Sequence, residues 1–157
     1  MMINEIERAD IPGFGTRYLL SGEQTGGRFA VVEHTIAPHT LAAPVHTHAD
    51  EDEYSYVLAG RMGALVGDEQ VDAGVGELVV KPRGIPHAFW NAGDDEVRLL
   101  ELVSPAGFER YFAELAPLLG VDGPPDFAAL GALQARYRLT MNFESIGPLC
   151  ERFGLRV

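Results

Sequence analysis

The chain has 157 residues, of which 46% are hydrophobic and 22% charged, the composition of an ordinary globular protein. Twelve Lys+Arg against twenty-three Asp+Glu give a formal net charge of −11, and Lys81 is the single lysine. That balance argues against nucleic acid and against an anionic membrane surface as partners, because both select clustered positive charge.

One cysteine, Cys150, excludes an intrachain disulfide and a cysteine-rich metal site. The opening Met1-Met2-Ile3-Asn4-Glu5-Ile6-Glu7 is acidic and lacks the basic and apolar regions of a signal peptide. No apolar run approaches the roughly 18 residues of a membrane span. A cytoplasmic protein is expected.

In chain order, the sequence predicts strands over Thr16–Ser21, Arg28–Ala37, Val45–Ala49, Glu53–Ala59, Met62–Val66, Gln70–Asp72, Glu77–Lys81, His87–Asn91 and Val97–Val103. Turn-forming Gly26-Gly27, Gly67-Asp68 and Asn91-Ala92-Gly93-Asp94 punctuate them. Short strands at such spacing predict an antiparallel sandwich or barrel. After Val103 the composition turns to helix formers. A first helix is predicted from Ser104-Pro105, with Phe108, Tyr111, Phe112, Leu115 and Leu119 on one face and Gly120 at its end. A second begins near Pro124-Pro125-Asp126 and carries Phe127, Leu130, Leu133 and Tyr137, and a third covers Ile146–Val157. These apolar faces are expected to pack outside the β domain or on a second subunit rather than against a ligand. The division is one domain over 1–157, with a barrel at about 16–103 and a helical extension at about 105–157.

His46-Thr47-His48 places two imidazoles on one face of a strand. Glu53 follows after a polar stretch long enough to turn the chain, and His87 lies beyond Pro82-Arg83-Gly84-Ile85-Pro86. Three imidazoles and a carboxylate make a four-ligand set that leaves positions of an octahedron open for substrate. Alternation puts Ser55 and Val57 on the face of Glu53 and Phe89 on that of His87, as candidate pocket residues. Tyr56 and Trp90 point the other way and need a cover, either a subunit interface or the C-terminal helices. His34, His39 and Cys150 are read as structural or surface residues, and Asn91 as the brace of a turn.

The pattern resembles the cupin family. His46, His48, Glu53 and Gly60 match its first motif, and Gly76, Pro82, Gly84, His87 and Asn91 its second. Thr40 stands where the first motif usually opens with Gly. The resemblance implies an all-β double-stranded β-helix, or jelly-roll, barrel with His46, His48, Glu53 and His87 as metal ligands. The segment Ser104–Phe112 also looks like that of small single-domain cupins described as quercetin-dioxygenase-like.

The implied function is a metal-dependent oxidoreductase of dioxygenase type acting on a small phenolic or enolic molecule. The metal is divalent Fe, Mn, Ni, Co, Cu or Zn. Glu53 is the candidate catalytic base, a role that needs its pKa raised by an apolar wall such as Phe89. The alternatives are a metal-containing binding protein without turnover and a metal-assisted isomerase or decarboxylase. A homodimer formed through edge strands is expected.

Overall fold

A computed structural model describes residues 7–119 and 123–157. The predicted helix end at Gly120 and the first six residues of the acidic start lie outside the described residues. The strands are β1 (Arg8–Ile11), β2 (Phe14–Leu20), β3 (Ala30–Ile36), β4 (Thr40–His48), β5 (Asp52–Ala59), β6 (Met62–Val66), β7 (Glu69–Ala73), β8 (Leu78–Lys81), β9 (His87–Asn91), β10 (Val97–Ser104) and β11 (Leu139–Met141). The helices are α1 (Gly22–Thr25), α2 (Arg110–Leu119), α3 (Phe127–Arg136) and α4 (Ile146–Phe153).

The strands form two antiparallel sheets, ordered β1-β2-β3-β10-β5-β8 and β11-β4-β9-β6-β7. Their ladders do not join into one closed cylinder, so the expected barrel is an open two-sheet jelly roll. Alternation decides which residues enter the space between the sheets. Phe14, Ile36, Val57, Val79, Val97 and Leu99 come from one sheet and Met62, Ala64 and Phe89 from the other, in one buried cluster.

Two motif positions show why the turns need their residues. Gly60 has φ 73°, and a Cβ there would lie 2.8 Å from the Glu96 carbonyl oxygen. Gly84, at φ 73°, donates its N–H to the His48 carbonyl at 2.8 Å, tying the Pro82–Pro86 loop to β4. The departure at Thr40 is absorbed one residue earlier, where His39 takes the left-handed conformation (φ 53°) and Thr40 opens β4. Asn91 braces the neighbouring turns, donating to the carbonyls of Ile36, Ala37 and Asp95 and accepting from Gly93 N–H.

The first predicted helix begins later than Ser104-Pro105. Ser104 is still paired with Asp52 in the β10–β5 ladder, and Ala106 N–H donates to the Gly27 carbonyl, so helix starts only at Arg110. α3 is capped as its sequence suggests, with the Asp126 carboxylate accepting from the N–H groups of Ala128 and Ala129. α4 covers Trp90, whose ring stacks on Phe153 at 4.3 Å. Tyr56 stays on the outer face of the six-stranded sheet, 42% exposed.

Candidate metal centre

The two sheets each supply part of the site. His46 and His48 stand on β4, and His87 on β9 pairs directly across from His46. Glu53 reaches in from β5 of the opposite sheet. One ligand atom from each of the four residues lies within 4.8 Å of the others, and all four side chains are buried.

Hydrogen bonding on the outer ring nitrogens aims the inner ones. His46 Nδ1 lies 2.7 Å from the Pro44 carbonyl and His87 Nδ1 3.0 Å from that of Ile85. His48 Nδ1 is 3.4 Å from a Glu51 carboxylate oxygen, without a hydrogen bond between them. On His46 and His87, Nδ1 protons held this way leave the Nε2 lone pairs for a metal, the tautomer a ligand requires. His48 Nε2 and His87 Nε2 approach the two Glu53 oxygens at 3.6 and 3.2 Å, and His48 Nε2 is buried without a hydrogen-bond partner. A divalent transition metal fits such a converging nitrogen and oxygen set.

Electrostatics favours the ligand forms of these groups. Burial, reinforced by the other two imidazoles, holds His46 well below the usual histidine range, and burial with the nearby Lys81 ammonium lowers His87. Both are therefore neutral near pH 7. Burial raises the Glu53 carboxyl, but the Lys81 ammonium 3.1 Å away acts against it, and the pKa lies well below the ordinary value. A lysine thus sits beside Glu53 as well as the Phe89 wall.

That lysine was missed in the sequence as part of the site. Lys81 is completely buried on β8, opposite Glu53 in the ladder, with Nζ 3.1 Å from Glu53 and 3.0 Å from Glu101 of β10. Its ammonium also lies 4.5 Å from the centre of the Phe89 ring. Glu101 accepts a further bond from Ser55 Oγ at 2.7 Å. Burial and the Glu53 charge push Glu101 up to about 7 against the opposing pull of Lys81.

A cavity of about 500 Å³ opens on this cluster, bounded by His46, Glu53, Glu101 and His34 at its polar end. Phe89 forms part of its wall. Ser55 stands one layer back, bonded to Glu101, and Val57 packs in the core. The opposite wall comes from Phe108, Tyr111, Phe112, Leu115 and Leu130. The expectation that the C-terminal helices only cover the outside is corrected by this, because α2 and α3 line the cavity. β11 pairs with β4 beside the ligands, Leu139 with His48 and Met141 with His46, so the chain itself covers the β4 edge. His34, expected to be structural, bounds the cavity; burial and Lys81 lower it to about 3.

Residues 32–103 match the model of the Cupin domain family. No curated protein matches the sequence. Among solved structures, the polyketide cyclase RemF from Streptomyces resistomycificus is 25% identical, with a TM-score of 0.56 over 66% of this chain and 80% of that one. A predicted oxalate decarboxylase from Thermotoga maritima is 20% identical, with a TM-score of 0.59 over 67% of this chain and 99% of that one. KdgF from Halomonas sp. is 17% identical, with a TM-score of 0.57 over 66% and 88%.

Proposed function

We propose that this chain, whose residues 32–103 match the Cupin domain family, is a metal-dependent enzyme, an oxidoreductase of dioxygenase type, acting on a small phenolic or enolic molecule. The observation that carries the reading is the convergence of His46, His48, Glu53 and His87 at the polar end of a cavity otherwise walled by aromatic and aliphatic side chains. A metal bound there supplies a Lewis acid that lowers the pKa of an enol or phenol hydroxyl. The chain's own residues exclude water, orient the substrate between Phe89 and Phe112, and keep Glu53 ionised beside Lys81. A second reading, metal-assisted isomerisation or decarboxylation without oxygen, is favoured by Glu101, a buried carboxyl poised near neutrality at the cavity wall.

The test is elemental mass spectrometry on protein purified without chelators, with His46→Ala/His87→Ala as control, followed by oxygen uptake with phenolic and diketone substrates. Near-stoichiometric metal lost in the control and oxygen-dependent turnover support the proposal. Turnover retained under argon supports the second reading. Absence of metal that cannot be restored by loading overturns both and leaves a metal-free binding protein. We further propose a homodimer through the outer face at Val31, Tyr54, Tyr56, Leu78, Leu100 and Leu102; a monomer in light scattering refutes it.

A further inference from the structure

Among the described acidic side chains bounding the cavity, Glu101 is the one outside the candidate ligand set. It occupies an inward position of β10 between Leu99 and Val103, and a charge buried there needs compensation. Compensation reaches only one of its oxygens. Oε2 accepts from Ser55 Oγ at 2.7 Å and from Lys81 Nζ at 3.0 Å. Oε1 is buried and has no partner. Buried polar atoms are rarely left so, and each calls for an explanation. Here the residue forms part of the cavity boundary.

We infer that Glu101 is a ligand-contacting residue, whose free Oε1 accepts a hydrogen bond from a hydroxyl of a largely apolar ring compound bound in the cavity. The inference rests on the proposed small-molecule reading of this site and adds to it the chemical class of the ligand. The apolar body follows from the cavity boundary, where a planar aromatic ring meets Phe14, Phe89, Phe108 and Phe112.

The same two donors make a decisive variant. In Glu101→Gln, Ser55 and Lys81 still donate toward the Oε2 position, so the amide oxygen must occupy it. The NH2 group then points where Oε1 was, and an acceptor becomes a donor without change of size. 2-Naphthol, which can donate, and 2-methoxynaphthalene, which can only accept, are the probes. Fluorescence titration is run on chelator-treated protein at about pH 8.5, above the range near 7 in which Glu101 ionises.

Wild type should bind 2-naphthol roughly tenfold more tightly than 2-methoxynaphthalene, the scale of one hydrogen bond to a charged acceptor. Glu101→Gln should abolish or reverse that preference. Glu101→Asp keeps a charge for Lys81 but withdraws the oxygen by one methylene, and it should cut the preference to below about threefold; this variant decides the matter should Glu101→Gln not fold. A wild type without the preference, or one that binds neither probe, overturns the inference, as does a preference that survives in a folded variant. Because the metal has been removed, these results are independent of whether the protein holds a metal or turns over a substrate.

Discussion

Replacement of Lys81 by Met tests the buried charge network directly. Met matches the length of the lysine stem and keeps an apolar contact with Phe89, so the change removes the ammonium and little else. It leaves Glu53 and Glu101, 3% and 1% exposed, without the cation that lies 3.1 and 3.0 Å from them. Removing one partner of a buried pair costs about 3–5 kcal/mol, most of it the desolvation of the charge left behind. For a protein of this size about 1 kcal/mol moves Tm by roughly 2–4 °C, so a drop of about 10 °C is expected at neutral pH. The assay is thermal unfolding of chelator-treated protein followed by circular dichroism. The double variant Lys81→Met/Glu101→Gln removes one stranded carboxylate and should recover about half the loss, a coupling that independent sites would not show. A single variant that melts within about 3 °C of wild type, or a double variant no more stable than the single, would refute the reasoning.

Glu51→Gln removes the carboxylate charge that lies 3.4 Å from His48 Nδ1 and should lower metal affinity about 10- to 100-fold with little change in Tm, measured by competition with a chromogenic chelator. Glu101, with its folded pKa raised from 4.5 to about 7, contributes stability that is fully present below its ordinary pKa and lost as pH rises through about 7. Urea midpoints of metal-free protein should therefore show wild type losing stability relative to Glu101→Gln as pH rises from about 4.5 to 7; a constant difference contradicts the assignment. Leu115→Trp fills the cavity from α2 and should weaken 2-naphthol binding at least about tenfold while leaving metal content unchanged. Unaltered affinity would mean that the ligand does not enter between the helices and the sheets.

The metal set was legible in the sequence because its spacing is local. His46-Thr47-His48 needs only the two-residue period of a strand, and the Pro82–Pro86 loop sets His87 beside it. What escaped depends on contacts across the chain. Three-residue β11 has no pattern of its own and exists because β4 offers it an edge at His46–His48. β1, with Arg8 and Asp10, is likewise made by its pairing to β2. Glu51 is one of four consecutive acidic residues, and only the fold of the turn selects it to face His48. Lys81 and Glu101 did leave a signal. Each interrupts an inward apolar alternation, Lys81 after Val79 and Glu101 between Leu99 and Val103, and two opposite charges at inward positions of one sheet, on the strands that flank β5, are the mark of a buried pair.

The family match and the cavity divide the molecule in an informative way. Residues 32–103 contain all four candidate ligands and both ends of the Lys81–Glu101 pair. Phe108, Tyr111, Phe112, Leu115 and Leu130, which make the opposite wall, lie beyond that match, as does β11 against the ligand strand. A polar site built within the shared framework is thus given its shape by a segment outside it. Apolar walls discriminate by volume and contour, at about 1–3 kcal/mol per methylene gained or lost, whereas the metal set and Glu101 select by charge and hydrogen bonding. Substitutions in α2 and α3 should accordingly change which ring compounds bind, and those in β4, β5, β9 and β10 what the site can do with them.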